Sequence, residues 1–367
     1  MRVLPEVPGV MSADEVVATA RSIVALQRPD GMIPWFPGGH CDPWNHVEAA
    51  MALTAVGLDA EADAAYQWLV DNQLPDGSWF NYYLTSGVKD ARLDTNVCAY
   101  LATGAWHRYI STGDLDGLEH LWPTVESGVD FVLRWQRRDG SIRWSLDPSG
   151  NIEEYALLTG SSSIYHSLRC AIAIAERLGH ERPDWELAAG RLAHAVAHDP
   201  SAFAPKVEFA MDWYYPVLSG ALSGPGAHAR IDASWSTFVL EGHGVRCVST
   251  GEWVTAAETA ECVLALDALG RDAEAMRLFT WVQALRNDDG SYWTGMVYPE
   301  VATYPPLERS TYTAGAMVLA ADALGRCTPA SGLFRGEGLP SHLDLTEPAP
   351  EAPVEPALRT PGTPGAV

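Results

Sequence analysis

The sequence predicts an all-α protein, an (α/α)6 toroid of about six helical hairpins closed into one ring. Three observations carry that prediction. A short motif built on Asp-Gly and ending in Trp recurs four times along the chain. Each copy follows a helical stretch with one polar face. After each copy comes a second helical stretch, rich in small apolar residues and apolar on more than one face, as expected of a helix buried on several sides.

The elements follow in order. QRPDGMIPW begins at Gln27, after EVVATARSIVAL and before NHVEAAMALTAVG. QLPDGSW begins at Gln73, after EADAAYQWLVDN and before TNVCAYLATGAW. QRRDGSIRW begins at Gln136, after VESGVDFVLRW and before IYHSLRCAIAIAERLG. RNDDGSYW begins at Arg286, with Arg in the Gln position, after AEAMRLFTWVQAL and before YTAGAMVLAADALG. TAAETAECVLALDALG is a further buried-type helix. In each copy Asp-Gly ends the helix and turns the chain, because Gly tolerates positive φ there. The Trp that follows (Trp35, Trp79, Trp144, Trp293) packs back or faces the loop's cavity. Weaker helix pairs near 185–222 and 232–270 bring the count to about twelve.

Joints from buried to exposed helix are short, as in AVGLDAEAD. Joints from exposed to buried helix are long: 31–42, 77–94, 140–161 and 287–309. In a closed ring the buried helices then run parallel, and all long loops gather with the buried-helix N-termini on one face. A funnel results, ringed by positive helix ends and loop aromatics. The toroid is expected to span 1–335. The Pro/Glu-rich segment 336–367 cannot bury enough apolar surface to order itself and is expected to be a disordered tail.

With 47 acidic against 24 basic residues the formal charge is −23, which disfavours nucleic acid and anionic membranes as partners. A neutral ligand meets no such repulsion. Six scattered cysteines with no CxxC spacing suggest free thiols in a reducing compartment and no zinc site. No signal-peptide core or membrane-length stretch is evident, so a cytoplasmic location is expected. Oligomeric state has no sequence signal.

QLPDGSW fits the QxxxGxW repeat of squalene cyclases and protein prenyltransferases, which share this toroid. LDTNVCAYLATGAWHRYISTGDLDGLEHLWPTV resembles six-hairpin glycosidases of the glucoamylase type. GVRCVSTGEWVTAAETAECVLALDALGR, with RNDDGSYWTGMVYPE, is similar to actinobacterial toroid proteins that include the hydrolase of the mycobacterial methylmannose polysaccharide pathway. The resemblance covers about residues 10–330. It implies an intracellular endo-acting α-mannosidase cutting an α-1,4-linked polymer of 3-O-methylmannose.

The residues narrow the chemistry independently. There is no DxDD for terpenoid protonation, no zinc pattern, and no GxSxG, HExxH, GxxxxGK[ST] or GxGxxG motif. Carboxylates and aromatics on the funnel face remain, the combination used in metal-independent, cofactor-free glycoside hydrolysis. Asp42 in GGHCDPWNHVE is a helix cap before Pro43 or a catalytic carboxylate. Glu258 in TAAE either closes a capping box with Thr255 or serves as acid or base. The resemblance favours pairing the two, with Glu308 in reserve. Substrate contacts are expected from Trp35, Trp44, His46, Glu48, Asp94, Asp212, Trp213, Tyr214, Trp253 and Trp293. Asp94 also reads as a helix cap, His46 as a satisfied core histidine, and at least half the repeat tryptophans as packing. Two other functions fit the same toroid: a terpenoid-type cyclase or prenyl binder with a carbon-lined cavity, and a non-catalytic saccharide-binding protein.

Overall fold

The structure, a computed structural model, describes residues 3–341; the predicted tail lies outside the described residues beyond Ser341. An inner ring of helices forms the body: α2 (Pro43–Ala55), α4 (Thr95–Ala99) continued by α5 (Leu101–Thr112), α7 (Leu158–Leu178), α9 (Ala210–Leu218), α11 (Ala256–Ala268) and α13 (Thr311–Gly325). Outside it stand α1 (Ala13–Val24), α3 (Asp59–Asn72), α6 (Leu115–Leu133), α8 (Pro183–His198), α10 (Gly224–Phe238) and α12 (Asp272–Val282). Each inner helix packs on the next, and α13 packs back on α2, so the ring is closed. Five outer helices each cover the inner helix before them, while α1 covers α13 and completes the outer layer. The predicted (α/α)6 toroid is the observed architecture.

The repeat has a mechanical reason. Gln27 Nε2 donates to Gly31 O in its own turn (3.1 Å) and to Glu61 O of α3 (2.8 Å). Gln73 does the same to Gly77 O (3.0 Å) and Thr124 O of α6 (2.9 Å). Gln136 reaches Gly140 O (3.0 Å) and Ala188 O of α8 (2.9 Å). Each Gln therefore ties its turn to the neighbouring outer helix and satisfies backbone carbonyls. Arg286 takes the corresponding position against α1, at Glu15 O (3.3 Å). The glycine is required by contact as well as by φ: Gly77 has φ 93°, and a Cβ there would lie 2.1 Å from Ser127 O.

The region near 232–270 differs from expectation. Helix α10 ends at Phe238, and the chain then forms β5 (Val239–Leu240), β6 (Gly244–Arg246) and β7 (Trp253–Thr255) before α11. These join β8 (Gly295–Val297) and β9 (Ala302–Thr303) in an antiparallel five-stranded meander on the loop face. Strands of two or three residues leave no readable alternation. Smaller pairs are β1 (Tyr82–Leu84) with β2 (Gly87–Asp90), and β3 (Leu93–Asp94) with β4 (Ser145–Leu146). Among the described residues no helix is long and apolar enough to cross a membrane.

Candidate active site

Five of the six inner-helix starts bring a carboxylate to the funnel face: Asp42, Asp94, Asp212, Glu258 and Glu308. Two of them share one construction. Asp42 caps α2, accepting from Asn45 N (3.0 Å), Asn45 Nδ2 (2.8 Å) and the Trp35 indole N–H (2.5 Å). Asp94 caps α4, accepting from Asn96 N (2.9 Å), Val97 N (3.3 Å) and the Trp144 indole N–H (2.6 Å). In both, a repeat Trp grips the carboxylate of an inner-helix cap. Burial raises the Asp42 carboxyl above its ordinary range, against the pull of its N–H donors. Burial likewise lifts Asp94 to about 6, with a contribution from the Asp42 charge. Tyr82, which feels both charges, stands between them, and its ring packs on Trp35 and His40.

Glu258 lies in the first turn of α11, and the expected capping box is absent. Thr255 makes no side-chain cap bond; instead its hydroxyl donates to the Glu258 carboxylate in a short hydrogen bond. The reason is the meander: Thr255 is the last residue of β7, paired with Gly295 and Val245, so its backbone is engaged in strand pairing. Glu258 is thus held by the fold without closing the helix. Burial and then the Glu258 charge raise the phenol of Tyr312, which also senses Glu308 and Cys247. The Tyr312 ring is 4.8 Å from Trp35, the residue that holds Asp42. Tyr312 thus connects two neighbourhoods, packing on the Trp35 ring that holds Asp42 and feeling the Glu258 charge, and this shared region is the candidate basin. Glu308 borders it, accepting from Thr294 Oγ1 at 3.1 Å.

A second pair of acids forms the floor. Glu48 accepts from the Tyr100 hydroxyl (3.1 Å), at the break between α4 and α5. Glu261 accepts from Tyr215 (2.9 Å) and, in a shorter bond, from Tyr214. Trp44 packs edge-on against Tyr100 and Tyr215, and its indole N–H bears on the Glu48 carboxyl, favouring the charged form against burial. Burial, and then the neighbouring acids, raise both carboxyls: Glu48 to about 8 and Glu261 well above its ordinary range. Both carboxyls are thus biased toward the neutral form.

No family model matches the chain. It is 51% identical over 341 residues to the MMP endo-(1,4)-3-O-methyl-alpha-D-mannosidase of Mycolicibacterium hassiacum, covering 93% of this chain and 94% of that protein. The chain belongs to this family. Solved structures share the endomannosidase family's fold at low identity. A glycosidase in complex with glucose matches with a TM-score of 0.65 at 16% identity, over 85% of this chain and 96% of the other. A D-mannose isomerase matches at 0.64 and 11%, over 86% and 98%. A Clostridium perfringens alpha-amylase matches at 0.62 and 8%, over 84% and 97%.

Within this member of the endomannosidase family, several expected substrate contacts prove to be structural. His46 is 1% exposed: Nε2 faces Ala65 O (2.8 Å) and Nδ1 accepts from Ile33 N (3.2 Å), so it braces α2 against α3. Trp213 points away from the basin, its indole donating to Arg230 O (3.1 Å) and its ring stacked on Phe238. Tyr214 is fully buried and serves Glu261. Asp212 accepts from Thr159 N (3.2 Å) and Oγ1 (2.6 Å), supplying from α9 the cap that α7 lacks. Trp293 lies under Arg309, and the Trp253 indole donates to Tyr304 O (3.0 Å) in the meander. Trp79 is packing. Of the others, Trp35 holds Asp42, Asp94 is held by Trp144, and Trp44 and Glu48 gather at Tyr100. The sequence reading missed Trp144, Tyr100, Tyr215, Tyr312 and Cys247. Only Trp144 carried a signal, its register in the repeat.

Proposed function

We propose that this chain is an endo-acting glycoside hydrolase of a 3-O-methylated α-1,4-mannan, with Asp42 and Glu258 as its acid–base couple. The substrate follows from the relative's activity at 51% identity across nearly the whole chain. The observation that carries the couple is their position: both open inner helices, Asp42 is held by the Trp35 ring that packs on Tyr312, and Tyr312 feels the charge of Glu258, which is free of a capping role. A basin lined by carboxyls and phenols suits sugar hydroxyls and suits an isoprenoid poorly. All six cysteines are unpaired, which supports action in a reducing, intracellular compartment.

Asp42 is the acid. Burial favours its protonated form, and Trp35, Asn45 and the Trp44 backbone fix the orientation of the carboxyl that carries the proton. That proton passes to the glycosidic oxygen as the bond from the anomeric carbon breaks toward it. Glu258 is half-buried, where water reaches it, and takes a proton from the water that adds to the anomeric carbon. The neutral floor below accepts a sugar ring without adding charge, with Trp44 and the tyrosines as its surface. The test is Asp42→Asn and Glu258→Gln on 3-O-methylated α-1,4-mannooligosaccharides. Each should lower kcat by about 10²–10⁴ while the melting temperature stays within a few degrees. Loss of activity that merely follows loss of folded protein would make both residues caps.

A further inference from the structure

Beside the basin runs a second cavity that the acid–base couple does not use. Its volume is 570 Å³, within the roughly 300–1,000 Å³ of small-ligand sites. It lies between the C-terminal end of α1 and the loops carrying Phe36–Pro37 and Pro306–Leu307. We propose that this cleft is a distal binding site for the methylated saccharide chain, holding the rings on one side of the bond being cut. The proposal rests on the hydrolase reading and names where the polymer goes once it leaves the basin.

Three observations support it. Glu308 lines the cleft, and its charge also falls on Tyr312 beside Glu258, so the same residue borders both spaces. Leu307 stands on the cleft wall with φ 57° and is 77% exposed. Val301, in the preceding β8–β9 turn and off the cleft wall, has φ 55° and is 63% exposed. Left-handed backbone at large non-glycine residues is strained, and neither side chain offsets the strain by burial in the protein. Such strain concentrates at ligand clamps. The walls combine apolar surface (Leu26, Phe36, Leu307) with polar groups, the side chains of Arg21, Asp289, Glu308 and Arg309 and the hydroxyls of Ser22, Ser291 and Ser310. A sugar carrying both hydroxyls and methyl ethers matches that combination, and a neutral polymer is not repelled by the protein's charge of −23. Cleavage within a chain also requires that substrate extend beyond the basin, and the cleft leads outward over α1.

Two variants test this by opposite means. Leu307→Gly removes the apolar wall at a position whose φ suits glycine, and Ala25→Trp, on the exposed end of α1, fills the cleft. Both are assayed on 3-O-methylated α-1,4-mannooligosaccharides of two lengths, the shorter only just long enough to be cut. For the longer substrate both variants should raise KM about fourfold or more, roughly the loss of one buried methyl contact, with kcat retained. The shorter substrate should be cut as by the native protein. Native KM in Ala25→Trp on the longer chain, or equal losses on both lengths, would overturn the distal site. Failure of the native protein to cut either methylated length would overturn the hydrolase reading itself.

Discussion

Glu48→Gln should make the protein more stable at alkaline pH while removing a carboxylate from its centre. Glu48 is 6% exposed, and the groups bearing on it are Tyr100, Asp42, Trp44 and Glu261, none of them cationic. Its pKa is raised from the ordinary 4.5 to about 8 by burial first and by neighbouring acid second. The folded state therefore binds the proton more tightly than the unfolded chain does. The favourable contribution is present below the unfolded pKa and is lost as pH rises toward 8. A difference of that size is worth about 5 kcal/mol at full titration, of which about 3–4 kcal/mol falls between pH 5 and pH 8. Glutamine keeps the volume and still accepts from Tyr100, but has no proton to lose. Urea unfolding of both proteins, followed by tryptophan fluorescence at pH 5, 6, 7 and 8, measures the difference directly. Near pH 5 the two should match; by pH 8 Glu48→Gln should lead by a few kcal/mol. Glu261, whose carboxyl the Glu48 charge helps to raise, is lifted less in the variant and adds to the gap in the same direction, while groups remote from Glu48 act alike on both proteins. A gap that does not widen with pH would mean that Glu48 ionises freely and that the floor is wet.

Asp94→Asn keeps the cap geometry but removes a charged partner for substrate hydroxyls. KM should rise about tenfold, the loss of one charge-assisted hydrogen bond, with kcat changing less than about threefold in steady-state assays. Thr255→Val removes the hydroxyl that holds Glu258 without removing a helix cap, so kcat should fall about tenfold while the melting temperature moves by no more than a few degrees; a large stability loss would restore the capping role. Gly77→Ala forces a Cβ to within 2.1 Å of Ser127 O, and should lower unfolding free energy by about 2–4 kcal/mol in denaturant titrations, with KM of the folded fraction unchanged.

The ring was legible because its determinants are local. A glutamine that spans its own turn and the next outer helix recurs with fixed spacing to its glycine, so the motif announces the joint wherever it occurs. The placement of Asp42 and Glu258 at inner-helix starts was legible for a related reason: each opens a helix that the apolar pattern marks as internal. What escaped were choices made across space. AMDWYYP offers three consecutive aromatics, but successive helical residues point about 100° apart. Only the packing of α10 on one side and α11 on the other sends Trp213 outward and turns Tyr214 and Tyr215 toward Glu261. His46 fails for the same reason, since the fourth residue of α2 faces α3. Trp144 and Asp94 are 50 residues apart. The capping box was a sound local reading of Thr255 and Glu258, overturned because strand pairing with Gly295 engages the residue that would have been the cap.

Depth along the inner helices sorts the acids of the basin into two kinds. Asp42 and Asp94 occupy N-cap positions, where free backbone N–H groups and the positive end of the helix favour a carboxylate, an effect that fades within the first turn. Asp94, with three N–H donors, is lifted only to about 6. Glu48 lies more than a turn into α2, beyond those groups, with the Tyr100 phenol and the Trp44 indole for partners, and is lifted to about 8. Glu261 stands in the same relation to Glu258 on α11, nearly one turn further in. One ring of parallel helices thus creates ionisable carboxyls at the rim and neutral ones beneath. Proton transfer needs the first kind, because a rim acid and a rim base must exchange protons near neutral pH. A methylated sugar resting on the floor needs the second, since a pair of charged carboxylates there would hold water that the methyl ethers cannot displace favourably. On the proposed reading, an acidic chain binds a neutral polymer in this way because its deeper acids are the ones burial biases toward the uncharged form.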